Sequence, residues 1–256
     1  MQAMSAVECR PSTYARMAAA RTAAEQAVLS EGHAGEGAAS LCEDVQRRLS
    51  QLGVGGVPST AGERRAVCGV ATCISLSEEG PSPSQCARLC QAMALLHNYR
   101  QPFTVVLALK SQPKVLAHGR PLTRRDINSG ATYQDERLVL MWRWDPDFWK
   151  VLLHELTHLM AGTSDEAGTE ARALDLHCAL RASSEADYAA RVRAQRERLR
   201  LLSARVGRTD VGDTNASLYW QQGSCLFEGG GAGCYALAAP HAPPSEQPDE
   251  TFTVTM

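Results

Sequence analysis

The chain has 256 residues and a formal net charge of -2, with 44% hydrophobic, 21% charged and only 5% aromatic residues. That composition supports a sizeable core and excludes a chain that grips nucleic acid through bulk positive charge. No apolar run approaches the roughly 20 residues needed to span a bilayer, and the first 30 residues lack the apolar stretch of a secretory signal, so an intracellular, cytoplasmic protein without membrane partners is expected.

Alanine, leucine and arginine are common, so an α+β chain that is mostly helical, with a small sheet, is expected. Residues 1–60 read as a helical N-terminal region. "TYARMAAARTAAEQAVLSEG" and "ASLCEDVQRRLSQLG" carry helical apolar spacing, and each ends near a glycine. "GVGGVPSTAG" marks a break, and residues 61–237 are taken as the main domain. There "PSPSQCARLCQAMALLHNYRQP" predicts a helix opened by Ser and Pro and closed before Pro102. "FTVVLALK" and the shorter "KVLAHG" predict strands, "INSGATY" a turn, and Arg137 to Trp144 a further strand.

Two helices are expected after residue 162, in "SDEAGTEARALDLHCALRAS" and "SEADYAARVRAQRERLRLLSARVG". The arginine-rich second one reads as a solvated face. "NASLYWQQGSCLF" suggests a last short helix, and residues 238–256 a disordered tail. Asn215 fits a glycosylation pattern that means little without a secretory signal. Nine cysteines are present. Cys68-x4-Cys73 and Cys86-x3-Cys90 depart from tight zinc-knuckle spacing, so reduced buried thiols are expected.

The chemistry concentrates in "WKVLLHELTHLMAG", residues 149–162. Asp145 is placed to cap a helix, Pro146 to fill its first turn, and Gly162 to stop it. Apolar residues cover most of the circumference, so the helix is buried. His154 and His158 lie one turn apart on one stripe, and two buried imidazoles aimed at one point are satisfied by a metal ion. Zn2+ suits an i, i+4 histidine pair. Glu155, about 100° around the helix, can stand beside the ion as a general base. A structural histidine pair is the alternative.

A catalytic zinc usually has three protein ligands. The following helix offers Asp165, Glu166, Glu170 and His177. Thr163-x-x-Glu166 fits a capping box and Asp165 a first-turn acid, which gives both a structural role. Glu170, one turn deeper, has none and is preferred. Tyr219, Tyr188 and His177 are candidates to stabilise an oxyanion. Asn128-Ser129-Gly130 turns the chain and could border a cleft. Cys178 reads as a core thiol.

His154-Glu155-x-x-His158 resembles the zincin metallopeptidases. The resemblance covers residues 137–181 and implies a peptidase whose edge strand, here Leu138 to Arg143, precedes the buried helix and pairs with an extended peptide. In glutamate zincins the first acid of an E-x-x-x-E/D pair binds metal and the second supports a histidine. Glu166-x-x-x-Glu170 has that spacing and can be read either way. The metzincin pattern fails by one residue at Gly162 and Asp165. "NSGATY", "WKVLLHELTH" and "TEARALDL" also resemble zincin-like proteins of large DNA viruses, which favours Glu170 as ligand. The expectation is thus zinc held by His154, His158 and Glu170, with Glu155 as base and a peptide or protein as substrate. A catalytically inactive structural or peptide-binding zincin-like protein is the alternative.

Overall fold

A computed structural model describes residues 11–33, 38–54, 63–111, 128–162 and 165–206. Six helices and six strands are formed along them. Helix α1 (Thr13–Gln26), strand β1 (Leu29–His33), α2 (Ala38–Gln51), β2 (Arg64–Cys68), β3 (Ala71–Ser75) and α3 (Pro83–Leu96) come first. Strands β4 (Phe103–Ser111), β5 (Gly130–Tyr133) and β6 (Leu138–Trp144) follow, then α4 (Phe148–Ala161), α5 (Glu166–Arg181) and α6 (Glu185–Val206). The protein is of the α+β class. No helix among the described residues is long and apolar enough to cross a membrane.

The strands form one six-stranded sheet in the order β1-β2-β3-β4-β6-β5. β3, β4 and β6 run parallel, while β1, β2 and β5 are added antiparallel. Both faces of the central strands are covered, which is why "FTVVLALK" reads as a continuous apolar run. Val105, Leu107 and Leu109 of β4 pack with Val139 and Met141 of β6 against α3 and α4. Val106 and Ala108, with Leu140 and Trp142, face Val45 and Leu49 of α2 on the other side. Burying a Val or Leu side chain from such a strand contributes about 1.5–3 kcal/mol.

Several elements depart from the sequence expectations. The described part of residues 1–60 does more than form helices. It adds β1 to the sheet, packs Met17 of α1 into the α3–α4 core, and covers the opposite face with α2. β2 and β3, around the Cys68-to-Cys73 hairpin, had no counterpart in the sequence reading. "GATY" is a strand rather than a turn. β6 is not the edge strand: β4 and β5 flank it, and β5 ends the sheet. The expected "KVLAHG" strand, the helix near residues 215–227, Asn215, Tyr219 and the tail 238–256 lie outside the described residues.

The capping chemistry of α3 follows its sequence. Ser82 Oγ accepts from the Gln85 N–H at 3.2 Å, Gln85 Oε1 accepts from the Ser82 N–H at 3.1 Å, and Pro83 opens the helix. At α4 the start is later than expected. Asp145 Oδ1 accepts the Asp147 N–H at 2.9 Å, an Asx turn that spends this side chain on the loop, and Asp147 becomes the N-cap with no side-chain bond of its own. Gly162 ends the helix in the left-handed region at φ 60°.

Candidate metal centre

α4 is the central helix of the site. Leu152, Leu153 and Leu156 anchor it in the core, and His154, Glu155 and His158 are fully buried with them. One turn of helix stacks the two imidazoles edge to face, with ring centroids 4.7 Å apart. Their Nε2 atoms meet at 3.0 Å.

The first residue of α5 completes the cluster. Glu166 Oε2 stands 3.3 Å from His154 Nε2 and 3.3 Å from His158 Nε2. Among the described residues this is the one group of three or more His, Cys, Asp or Glu side chains close enough to share a metal ion. Donors about 2.0–2.1 Å from a tetrahedral ion stand about 3.3 Å apart. The triangle therefore has the size of one face of a zinc coordination tetrahedron. Two neutral nitrogens and one carboxylate are a donor set that zinc accepts. Glu166 is the partly exposed corner of an otherwise buried group.

Glu170 does not hold the position expected of it. Its Oε2 accepts from His154 Nδ1 at 3.0 Å and its Oε1 accepts from Lys150 Nζ at 3.0 Å. It holds His154 from behind, fixing a proton on Nδ1 and aiming Nε2 toward Glu166 and His158. The cause of the exchange is the start of α5. Asp165 is the N-cap and its carboxylate accepts the Gly168 N–H at 3.1 Å. Glu166 is thereby the first helical residue, released from the capping role that its sequence position suggests.

The electrostatics follow from burial and pairing. Burial opposes protonation of His154, but its hydrogen bonds to the Glu166 and Glu170 carboxylates outweigh it and lift its pKa to about 9. Burial acts against the charge on Glu170 too, and Lys150 and then His154 overcome it, holding the carboxyl far below its ordinary range. Glu166 is likewise lowered against its burial by the two histidines. Glu155 goes the other way: its complete burial raises it, and His154, His158 and Thr132 only partly offset that.

Glu155 is held by β5. Thr132 Oγ1 lies 2.7 Å from Glu155 Oε2 and 3.0 Å from the Glu155 carbonyl oxygen. Gly130, two residues earlier on the same face of the strand, leaves room for this carboxylate. A Cβ there would stand 2.9 Å from Glu155 Cγ and 3.1 Å from its Oε1. Trp142 donates its N–H to Ser129 O at 3.0 Å, which makes 129 and 142 a hydrogen-bonded pair. With antiparallel alternation, the backbone groups of Gly130 and Thr132 then point away from β6, toward the side of β5 that has no strand partner among the described residues. The sequence reading placed Gly130 near the cleft but did not single out Thr132, whose signal is only a hydroxyl in a four-residue strand.

Other candidates fall elsewhere. Tyr188 donates to Asp175 at 2.5 Å and stacks on Tyr14. His177 lines cavities beside Trp149 and Arg181, outside the triangle, and burial followed by the charge of Arg181 depresses its pKa to about 4. Cys68, Cys73, Cys86, Cys90 and Cys178 are buried free thiols, and no three cysteines come within metal-sharing distance among the described residues. No protein-family model, no curated protein and no solved structure matches this chain.

Proposed function

We propose that the protein is a zinc-dependent peptidase whose ligands are His154, His158 and Glu166. The observation that carries this reading is the triangle of Nε2, Nε2 and Oε2 atoms at 3.0, 3.3 and 3.3 Å, with a separate buried carboxylate, Glu155, on the same helix. Bound there, zinc would supply Lewis acidity, lowering the pKa of water and polarising the carbonyl to be attacked.

The chain's own residues have distinct roles in this reaction. Glu155, its pKa raised by burial, takes the proton from the attacking water and delivers it to the leaving amine. Thr132 fixes the rotamer of Glu155, and Gly130 keeps space for it. Glu170, neutralised by Lys150, keeps His154 in the tautomer that ligates through Nε2. The outward backbone groups of Gly130 and Thr132 suit an extended peptide added to β5, so the substrate strand runs past the base that acts on it.

Zinc analysis of the purified chain, combined with a peptide-library assay of wild type and Glu155→Gln, tests the proposal. Expected are one zinc per chain in both and cleavage by wild type alone. Equal cleavage by the two forms would refute the mechanism, and zinc binding without turnover in wild type would favour a structural or peptide-binding role.

A further inference from the structure

A cavity of about 440 Å3 lies between the start of α4 and the facing stripes of α5 and α6. Four cations line it, Lys150, Arg181, Arg191 and Arg198, against two acids, Asp147 and Glu170. Arg191 and Arg198 stand two turns apart on one face of α6, and Arg181 ends α5. Arg191 is paired with Asp187 at 3.1 Å, and Lys150 with Glu170 at 3.0 Å. Among the described residues Arg181 and Arg198 have no carboxylate partner, so two exposed guanidinium groups bring uncompensated charge to the rim of one partly open pocket. His177 reports the same field. It lines this cavity, and after burial the charges of Arg181 and Lys150 are what push its pKa down.

We propose that this cavity binds a phosphate-class oxyanion, either the free ion or the terminal group of a small phosphomonoester. Guanidinium groups from two helices and a lysine ammonium from a third line the same space. A tetrahedral oxyanion offers acceptors to all of them, whereas a carboxylate has only two oxygens to share. A single pocket of about 440 Å3 in a chain of net charge -2 does not suit a nucleic-acid backbone, which needs an extended basic track. Lys150 already holds Glu170, so the ion would sit against the buried pair that steadies His154.

The test is calorimetric titration of inorganic phosphate, and separately of glycerol 3-phosphate, into the full chain stripped of metal by a chelator. Ionic strength is held constant with chloride. Saturable binding of at least one of the two is expected, weakened by about tenfold or more in Arg181→Ala/Arg198→Ala. The thermal midpoint in chloride alone is expected to stay unchanged, because both side chains lack a partner to lose. Tighter phosphate marks a site for the free ion, and tighter glycerol 3-phosphate marks the end of a larger ligand. Should the double variant fold poorly, Arg198→Gln replaces it with the same direction expected. No saturable binding of either probe, or undiminished binding in a folded variant, overturns the proposal. Stripped protein keeps this result separate from the fate of the peptidase reading.

Discussion

His154 and Glu170 are joined by a 3.0 Å hydrogen bond through Nδ1, on the side of the ring opposite the nitrogen that faces His158 and Glu166. Two glutamates one turn apart on α5 thus serve one histidine from two sides. This geometry separates the effects of removing each acid. Glu170→Gln is expected to weaken zinc binding about 10- to 100-fold, the usual cost of losing a partner behind a ligand. Glu166→Ala is expected to cost more, since it removes a donor. Competition with a chelator of known affinity gives the order, and a larger loss at Glu170 than at Glu166 contradicts the assignment.

Glu155 lies outside the donor triangle, so its role should separate from metal binding. In Glu155→Gln, zinc content is expected to stay at wild-type level while kcat/KM falls by about 10²- to 10⁴-fold, the range for general acid–base catalysis. Loss of zinc in this variant would mean that the carboxylate belongs to the coordination shell.

The cradle of Glu155 on β5 can be probed from two positions. Thr132→Val removes the hydroxyl 2.7 Å from Oε2, and is expected to lower kcat with little change in KM, while Thr132→Ser restores it. Gly130→Ala drives a methyl against Met141 Sδ and Glu155 Cγ at 2.8 and 2.9 Å. Overpacking of this kind costs about 1–3 kcal/mol, visible in denaturant unfolding, and should be accompanied by loss of turnover with zinc retained. A Gly130→Ala enzyme of full activity would show that the carboxylate has more freedom than this packing permits.

Zinc affinity should depend on pH in a defined direction. His154, ordinarily near 6.5, is raised to about 9 in the folded protein without metal. The stability this protonation gives is full below about pH 6.5 and is lost as pH rises through about 9. The proton competes with zinc for Nε2 in the folded protein, so affinity is expected to climb as pH rises toward about 9 and to level off above it. Chelator competition at several pH values measures the slope. A flat profile would show that His154 is already neutral near pH 7.

Much of the local structure is legible in the sequence. The apolar circumference of 148–161 and the stop at Gly162 mark α4, and the i, i+4 spacing alone places two imidazoles on one stripe of it. Ser82 and Gln85 specify the start of α3 in the same way. These features depend on neighbours within one or two turns, which the chain carries wherever it folds.

What the sequence left open depends on contacts between distant segments. Whether Glu166 caps a helix or faces the histidines turns on which residue begins α5, and the Asp165–Gly168 bond decides it. Which strand ends the sheet is a matter of long-range pairing, and a run as short as "GATY" carries too few alternations to announce itself. Thr132 and Lys150 have no motif at all: one is a hydroxyl brought under Glu155 by the β5–β6 pairing, the other a lysine buried only because α5 supplies Glu170. The sequence by itself determined a buried helix with two histidines and a glutamate. The packing of α5 and β5 against that helix decided which groups surround them, because side chains 8 to 23 residues apart meet only once helix and sheet have docked.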